Sequence, residues 1–198
     1  MNKIDFYFLL RVWLRLFKIE IKVKANQVTN MTEFTLTTKD GPISASGRFI
    51  NACDTFKCMF EDLGSEDSSE PIPVTDQFSK EDITQYISLF DELDSLKVDF
   101  NGGNMSYLDY ITEHQDHYIS NYTNLNKDPP HCEKLASYLT TLGDEKITSA
   151  LQLDTYFNNL KFRRGIMLII AAFVRCGPEE EVDQIISSIM DIVQDNNN

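Results

Sequence analysis

Cysteine is scarce here and badly spaced for chemistry: Cys53, Cys58, Cys132 and Cys176 are the whole supply, and no two form a C-x-x-C pair. A thiolate metal knuckle needs that close spacing, and a disulfide framework needs a denser pattern. The thiols are therefore expected to be reduced and mostly buried, as in a cytoplasmic and/or nuclear protein. On that expectation the triplets Asn104-Met-Ser and Asn121-Tyr-Thr carry no weight as glycosylation sites. The apolar stretch Phe6 to Phe17 is broken by Arg11 and Arg15. It falls well short of the ~20 residues a membrane span requires, and the small-residue cleavage site of a secretory signal is missing. Phosphate loops are absent as well: Gly102-Gly103 lies between two helical patterns, not between a strand and a helix. The acidic run Ser65 to Glu70 lacks the ligand spacing and central glycine of a calcium loop. No internal repeat is present.

Positive charge is the other shortage. The chain has 18 Lys and Arg against 31 Asp and Glu, for a net charge of −13. Six of the basic residues (Lys3, Arg11, Arg15, Lys18, Lys22, Lys24) fall in the first thirty positions, against only Asp5 and Glu20. That segment carries +4, which leaves −17 on the rest. A body so acidic repels nucleic-acid phosphates and anionic membrane, so a charged partner surface should be basic. The first thirty residues read either as a basic amphipathic helix with a membrane-surface or targeting role, or as an extension outside the fold, with Met31 opening the domain proper.

What is present is core material. The chain has 198 residues, 42% of them hydrophobic, with 13 Phe and 8 Tyr, which is enough for one good core. Short apolar runs at 34–36 and 43–45 flank Lys39-Asp40-Gly41, a hairpin signal in which Asp-Gly is expected to supply the positive φ values of a type I′ turn. Phe49, Ile50, Phe56, Met59, Phe60 and Leu63 fit two short helices, broken near Cys53 and with Asp54 as the N-cap of the second. From Lys57 to Thr75 the chain reads helix, acidic loop and edge strand. Gly64 closes the helix. Ser65 to Glu70 is solvated. Pro71 and Pro73 remove donors and confine Ile72 and Val74 to a sheet edge.

Beyond that strand, Ser79 caps a helix striped by Ile83, Tyr86, Ile87, Phe90 and Leu93. Asn101-Gly-Gly-Asn104 is read as its break, and Ser106 starts the next helix, faced by Leu108, Ile111, Gln115, Tyr118 and Tyr122. Asp128-Pro-Pro130 ends that element, because residues before proline leave the helical region. The last third is helical: 135–142, then 147–157 and 160–174, then a final helix after Gly177-Pro178. Proline suits the first helical position, and Glu179, Glu180 and Glu181 suit the positive end of the helix dipole. Val182, Ile185, Ile186, Ile189, Ile192 and Val193 form its apolar stripe.

His114, His117 and His131 are the only histidines. The first two share a helix face at a spacing that suits a common metal ion, but the acidic residue between them, Asp116, stands at the wrong offset for a metalloprotease. They are read as surface histidines. No cofactor, metal or catalytic constellation is assigned, and a binding role is expected.

Several of these pieces resemble the Skp adaptors of cullin-based SCF ubiquitin ligases, members of the BTB/POZ superfamily. The matching parts come in the family's order: the Asp40-Gly41 turn, Glu61-Asp62-Leu63-Gly64 at a helix end, the acidic run 66–70 and the proline strand 71–74. Farther on, Leu153-Asp154-Thr155-Tyr156-Phe157-Asn158 resembles the family's Ala-Ala-Asn-Tyr-Leu-Asp segment. Ala171 to Arg175 resembles the end of its long helix, and Pro178-Glu179-Glu180 the start of the next. A weaker match is Asn126 to Pro130, within 118–133, which is similar to an Asp-Pro-Pro loop. The resemblance implies an α/β (α+β) fold with a small sheet flanked by helices. Residues 1–30 would be an extension, 31–130 a POZ-like domain with an insertion around 76–117, and 131–198 a helical region for dimerisation or partner binding.

It implies a non-catalytic adaptor that bridges a cullin and an F-box protein in ubiquitin-dependent protein catabolism. Thr155 and Tyr156 would face the cullin, with only the tyrosine of the family's Asn-Tyr pair retained. Pro178, Glu179, Glu180, Val182, Ile185, Ile186 and Ile189 would face the F-box. The family continues beyond that helix with others that clasp the F-box. With Asn198 the last residue here, the resemblance implies either reduced F-box binding or an apolar face left for another partner. The alternative is a BTB/POZ interaction module that forms homodimers and has lost one or both contacts.

Overall fold

The computed structural model describes residues 33–63, 71–100, 103–113, 132–178 and 180–187. The N-terminal segment, the acidic run, the histidines, the Asp-Pro-Pro loop and the residues beyond Ser187 lie outside them. The architecture mixes α and β: mostly helices, with a three-stranded sheet and a separate two-stranded one. Strands β1 (Glu33–Thr38) and β2 (Gly41–Ser46) pair antiparallel, with Leu36 opposite Ile43. Phe34, Leu36, Ile43 and Ala45 are buried while their neighbours alternate outward, the two-residue period of a half-covered strand.

The turn between them differs from the expected type. Thr38 pairs with Gly41, so Lys39 and Asp40 are the central residues. Neither has a positive φ, whereas Gly41 takes φ 118°. A type I′ turn needs positive φ at both central residues. A lysine there would carry the left-handed penalty, so the chain puts the unusual φ on the one residue without a Cβ. Thr38 Oγ1 helps to close the turn, donating to the Gly41 carbonyl (2.8 Å).

Helix α1 (Gly47–Ala52) starts where Ser46 Oγ accepts from the Phe49 N–H. Helix α2 (Asp54–Leu63) follows after a one-residue break at Cys53. Lys57 N–H donates to the Cys53 carbonyl, so Cys53 takes the cap position and Asp54 stands one residue inside. The Asp54 carboxylate is engaged by Lys57 Nζ at 2.8 Å instead of capping. Strand β3 (Ile72–Pro73) joins β1 in parallel, giving the order β2-β1-β3 with the proline strand at an edge. Val74 N–H donates to the Thr37 carbonyl (2.9 Å), while Pro73, lacking a donor, is exposed.

Helix α3 (Lys80–Ser95) opens with a capping box between Ser79 and Asp82 and buries the whole expected stripe, Ile83, Tyr86, Ile87, Phe90 and Leu93. Strands β4 (Lys97–Phe100) and β5 (Gly103–Ser106) then form a hairpin that the sequence reading missed. Phe100 pairs with Gly103, leaving only Asn101-Gly102 between the strands. Asn-Gly is a strong hairpin signal, but directly after a helical stripe it reads equally as a helix stop. Helix α4 (Tyr107–Glu113) is capped by Ser106 Oγ, which accepts from the Asp109 N–H.

Helices α5 (Cys132–Leu142), α6 (Asp144–Phe157) and α7 (Leu160–Cys176), and a further helical stretch α8 at 180–187, complete the described residues. Gly143, at φ 79°, separates α5 from α6. At Gly177 a Cβ would stand 2.5 Å from the Phe173 carbonyl oxygen, so glycine is required after α7.

The chain divides into two compact units. Among described residues one takes in 33–109 and 149–163. Its core is aromatic: the Phe49 ring lies 5.4–6.1 Å from Phe56, Tyr86, Phe90 and Phe157, and Tyr86 stacks on Phe157 at 5.2 Å. The other takes in described residues of 110–148 and 164–187 and is helical. There every residue from Gly165 to Val174 is buried, so this part of α7 is covered all round.

Candidate partner-binding surface

The end of α6 and the start of α7 form a sharp corner. Leu153, Asp154 and Phe157 are buried, Thr155 is exposed and Tyr156 is half-buried. The helix stops because Asn158 adopts φ 49°, a left-handed conformation that asparagine tolerates better than most side chains. Asn158 N–H closes the last turn onto the Asp154 carbonyl (2.8 Å). Asn159 then begins α7, its buried Oδ1 accepting from the Phe162 N–H at 3.0 Å.

Tyr156 is held at three points. Its hydroxyl accepts from the Thr75 N–H (3.2 Å), just past the proline strand. Its ring packs between Phe78 (6.1 Å) and Phe157 (5.1 Å). Its carbonyl accepts from Thr55 Oγ1 (2.5 Å). Thr155 has folded its hydroxyl back onto the Gln152 carbonyl (2.6 Å), so it offers a methyl group and little hydrogen bonding. Of the two residues expected to face a cullin, only the tyrosine has its side chain tied to other segments of the chain.

Beneath Tyr156 lies a buried polar cluster that the sequence reading did not find. Arg163 Nε donates to Asp154 Oδ2, and Arg163 Nη2 donates to the Asp154 carbonyl (3.1 Å) and to Asn158 Oδ1 (3.4 Å). Tyr86 Oη donates to Asp154 Oδ1 at 2.8 Å. Asn159 Nδ2 donates to Cys53 Sγ at 3.7 Å. Burial pushes the Asp154 carboxyl above the usual carboxylate range despite the guanidinium beside it. Burial, and then the Asp154 charge, push the Tyr86 phenol and the Cys53 thiol well upward, which makes Cys53 a poor nucleophile. The sequence signal was weak: Asp154 lies between Gln152 and Thr155, and Arg163 is one of three basic residues in Lys161 to Arg164. Nothing in their spacing pairs them, because the corner at Asn158 intervenes.

A second charge cluster is half-exposed. Arg48 Nη2 meets Asp94 (2.6 Å) and Asp109 (3.2 Å), and Lys161 Nζ also meets Asp109. Burial raises the Asp109 carboxyl, but the Lys161 hydrogen bond and charge, Ser106 and Arg48 outweigh it and leave it below its ordinary value. Asp91, which accepts from Ser46 Oγ, is pushed upward by partial burial.

The expected F-box residues divide. Pro178 and Glu180 are exposed, and the Pro178 carbonyl accepts from the Val182 N–H, the first turn of the final helix. Val182, Ile185 and Ile186 are buried within this chain, at 0%, 8% and 4% exposure, and so are not offered to solvent. Glu179 and Ile189 lie outside the described residues, as do the histidines. No group of metal-ligating side chains occurs among the described residues. The expectation of mostly buried thiols is corrected: Cys53 is buried, but Cys58 and Cys176 are exposed. Cys58 falls on the outer side of α2, opposite buried Phe56, and Cys176 ends α7 beyond its covered stretch. No helix among the described residues is long and apolar enough to cross a membrane.

Compared with family models, curated proteins and solved structures, the chain matches none.

Proposed function

We propose that this chain is a non-catalytic, Skp-like adaptor of the BTB/POZ type, joining a cullin to an F-box-type substrate receptor for ubiquitin-dependent turnover. The observation that carries the reading is Tyr156. It is a half-exposed aromatic at the end of a helix, with its hydroxyl fixed on the Thr75 N–H beyond the proline edge strand. Two segments whose sequences resemble the family are thereby tied together in space. A rigid tyrosine with an apolar body and a polar tip is the side chain that protein interfaces use as an anchor. Such an adaptor works by placement: tethering a substrate beside the ligase raises its effective concentration, and the adaptor supplies no reacting group. The acidity of the chain complements a basic partner face.

The test is capture of the purified chain by a cullin N-terminal domain at roughly micromolar protein, a range that ordinary protein interfaces reach. Tyr156→Lys should weaken capture by about 30-fold or more, as loss of an interface anchor does. It should cost about 2–4 kcal/mol of stability, for the Thr75 hydrogen bond and the ring contacts with Phe78 and Phe157. No capture of the wild-type chain, or equal capture of the variant, overturns the reading.

Burial of Val182, Ile185 and Ile186 favours a second reading for the other end of the adaptor. Side chains already covered in the chain alone are poor candidates for F-box contact. A BTB/POZ module without F-box binding, self-associating through another face, accommodates that burial. An F-box peptide that fails to bind while light scattering reports a dimer would favour it.

A further inference from the structure

We infer that the buried Asp154, Arg163 and Tyr86 cluster is a positioning device, whose task is to hold Tyr156 in the orientation that a partner meets. The inference rests on the reading of Tyr156 as an anchor. Its geometric basis is where the hydrogen bonds fall along the chain. Arg163 grips the chain on both sides of Tyr156: it takes the side chain and carbonyl of Asp154, two residues before, and the side-chain Oδ1 of Asn158, two residues after. Tyr86 fixes the other oxygen of that carboxylate from α3. Asn158 is thereby kept at its left-handed φ, and its carbonyl accepts from the Asp54 N–H at 3.4 Å. Thr55 occupies the Tyr156 carbonyl. The ring is left one free end, the hydroxyl, and that lies on the Thr75 N–H.

A core-filling role would not call for charge. Replacing a buried ion pair by apolar side chains of similar volume is often neutral or stabilising. Apolar side chains are non-directional, however, and reach neither the Asp154 carbonyl nor Asn158 Oδ1. The cluster therefore supplies direction at the corner, and direction is what an anchoring ring needs if it is not to be ordered anew at each encounter.

The experiment uses the full chain carrying Asp154→Leu together with Arg163→Met. Three quantities are read: the urea midpoint, hydrogen exchange at the Thr75 amide, and affinity for a cullin N-terminal domain. The expected result is a midpoint somewhat below that of the wild type, because Tyr86 Oη loses its acceptor, with Thr75 protection reduced about tenfold more than that of the buried α3 amides. Affinity should be reduced to the same extent, since apparent affinity scales with the fraction of chains whose ring is in place. Unchanged Thr75 protection in the folded double variant overturns the inference. If the double variant does not fold, Tyr86→Phe replaces it, keeping the ion pair and removing one tether. Thr75 protection should then fall several-fold, and no change overturns the inference. A wild-type chain that binds no cullin refutes the anchor reading alone, because the Thr75 amide reports positioning with no partner present.

Discussion

Asp154 and Arg163 make their ion pair with 1% and 10% of their side-chain surface exposed. Arg48, Asp94, Asp109 and Lys161 make theirs with 37%, 12%, 35% and 30% exposed. Both clusters belong to the unit of residues 33–109 and 149–163, and both tie distant parts of the sequence together. Access of water separates them. In the dry cluster each charge depends on its protein partners, so the geometry is specified at a desolvation cost and losing one partner strands the other. In the wet cluster water reaches Arg48, Asp109 and Lys161 and takes over much of what is removed, although Asp94 is itself mostly covered, so the attraction is partly screened. The dry cluster therefore fixes the shape of the corner that carries Tyr156, while the wet one adds modest cohesion to a face.

The largest separation between the two should come from Arg163→Ala. It leaves the Asp154 carboxylate buried without its cation, which costs about 3–5 kcal/mol of unfolding free energy. The deficit should shrink as the pH is lowered. The orphaned carboxyl, already held above its ordinary value by burial, is raised further and escapes the penalty by taking a proton. Urea unfolding of variant and wild type between neutral pH and about pH 4.5, near the ordinary carboxylate range, gives both the size and the sign. An equal deficit at both pH values would mean that the buried charge is not what the mutation exposes. Arg48→Ala, the matching change in the wet cluster, should cost only about 1–2 kcal/mol, because Arg48 itself is partly exposed and the mostly covered Asp94 keeps the Ser106 hydroxyl.

Tyr86→Phe should come next, at about 1.5–3 kcal/mol, the usual worth of a hydrogen bond to a charged group. The ring keeps its stack on Phe157 and its edge contact with Phe162 at 4.7 Å, so aromatic packing is not removed. A loss below about 0.5 kcal/mol, the low end for neutral hydrogen bonds, would show that Arg163 alone satisfies the carboxylate.

The sequence revealed the local structure of this unit better than its buried chemistry, for a physical reason. The α3 stripe is written at helical period over ten residues, and its capping box is adjacent in sequence, so both were legible. The proline edge strand was legible because a missing donor restricts where a strand can lie. The hairpin 97–106 was obscured by its context, since Asn-Gly directly after a helix also reads as a stop. Tyr156 was reached through resemblance, but the Thr75 bond that holds it spans 81 residues and leaves no local pattern. The Asp154–Arg163 pair is only nine residues apart, yet a corner with one left-handed residue brings the two together. Periodicity describes elements, and it is silent where two elements meet.

The smallest effect belongs to Asp109, and its pH dependence runs opposite to that of Arg163→Ala. The Asp109 carboxyl is lower in the folded chain than its ordinary value, held down by Lys161 and Arg48 against partial burial. A depressed carboxyl contributes stability that is fully present above the unfolded value of about 3.9 and is lost as the pH falls through the folded value. Asp109→Asn should therefore destabilise by less than about 1 kcal/mol at neutral pH, since about a third of the side chain is exposed. That difference from wild type should fade as the pH drops below about 4, and it should also fade in about 1 M salt, where the screening length is near 3 Å. The Arg163→Ala deficit should survive the same salt, because mobile ions do not enter a dry cluster. Two carboxylates in one unit, one relieved by acid in its variant and insensitive to salt, the other losing its contribution in acid and in salt, would establish that burial divides the clusters. If Asp109→Asn kept its full cost in high salt, the half-exposed cluster would be as dry as the buried one.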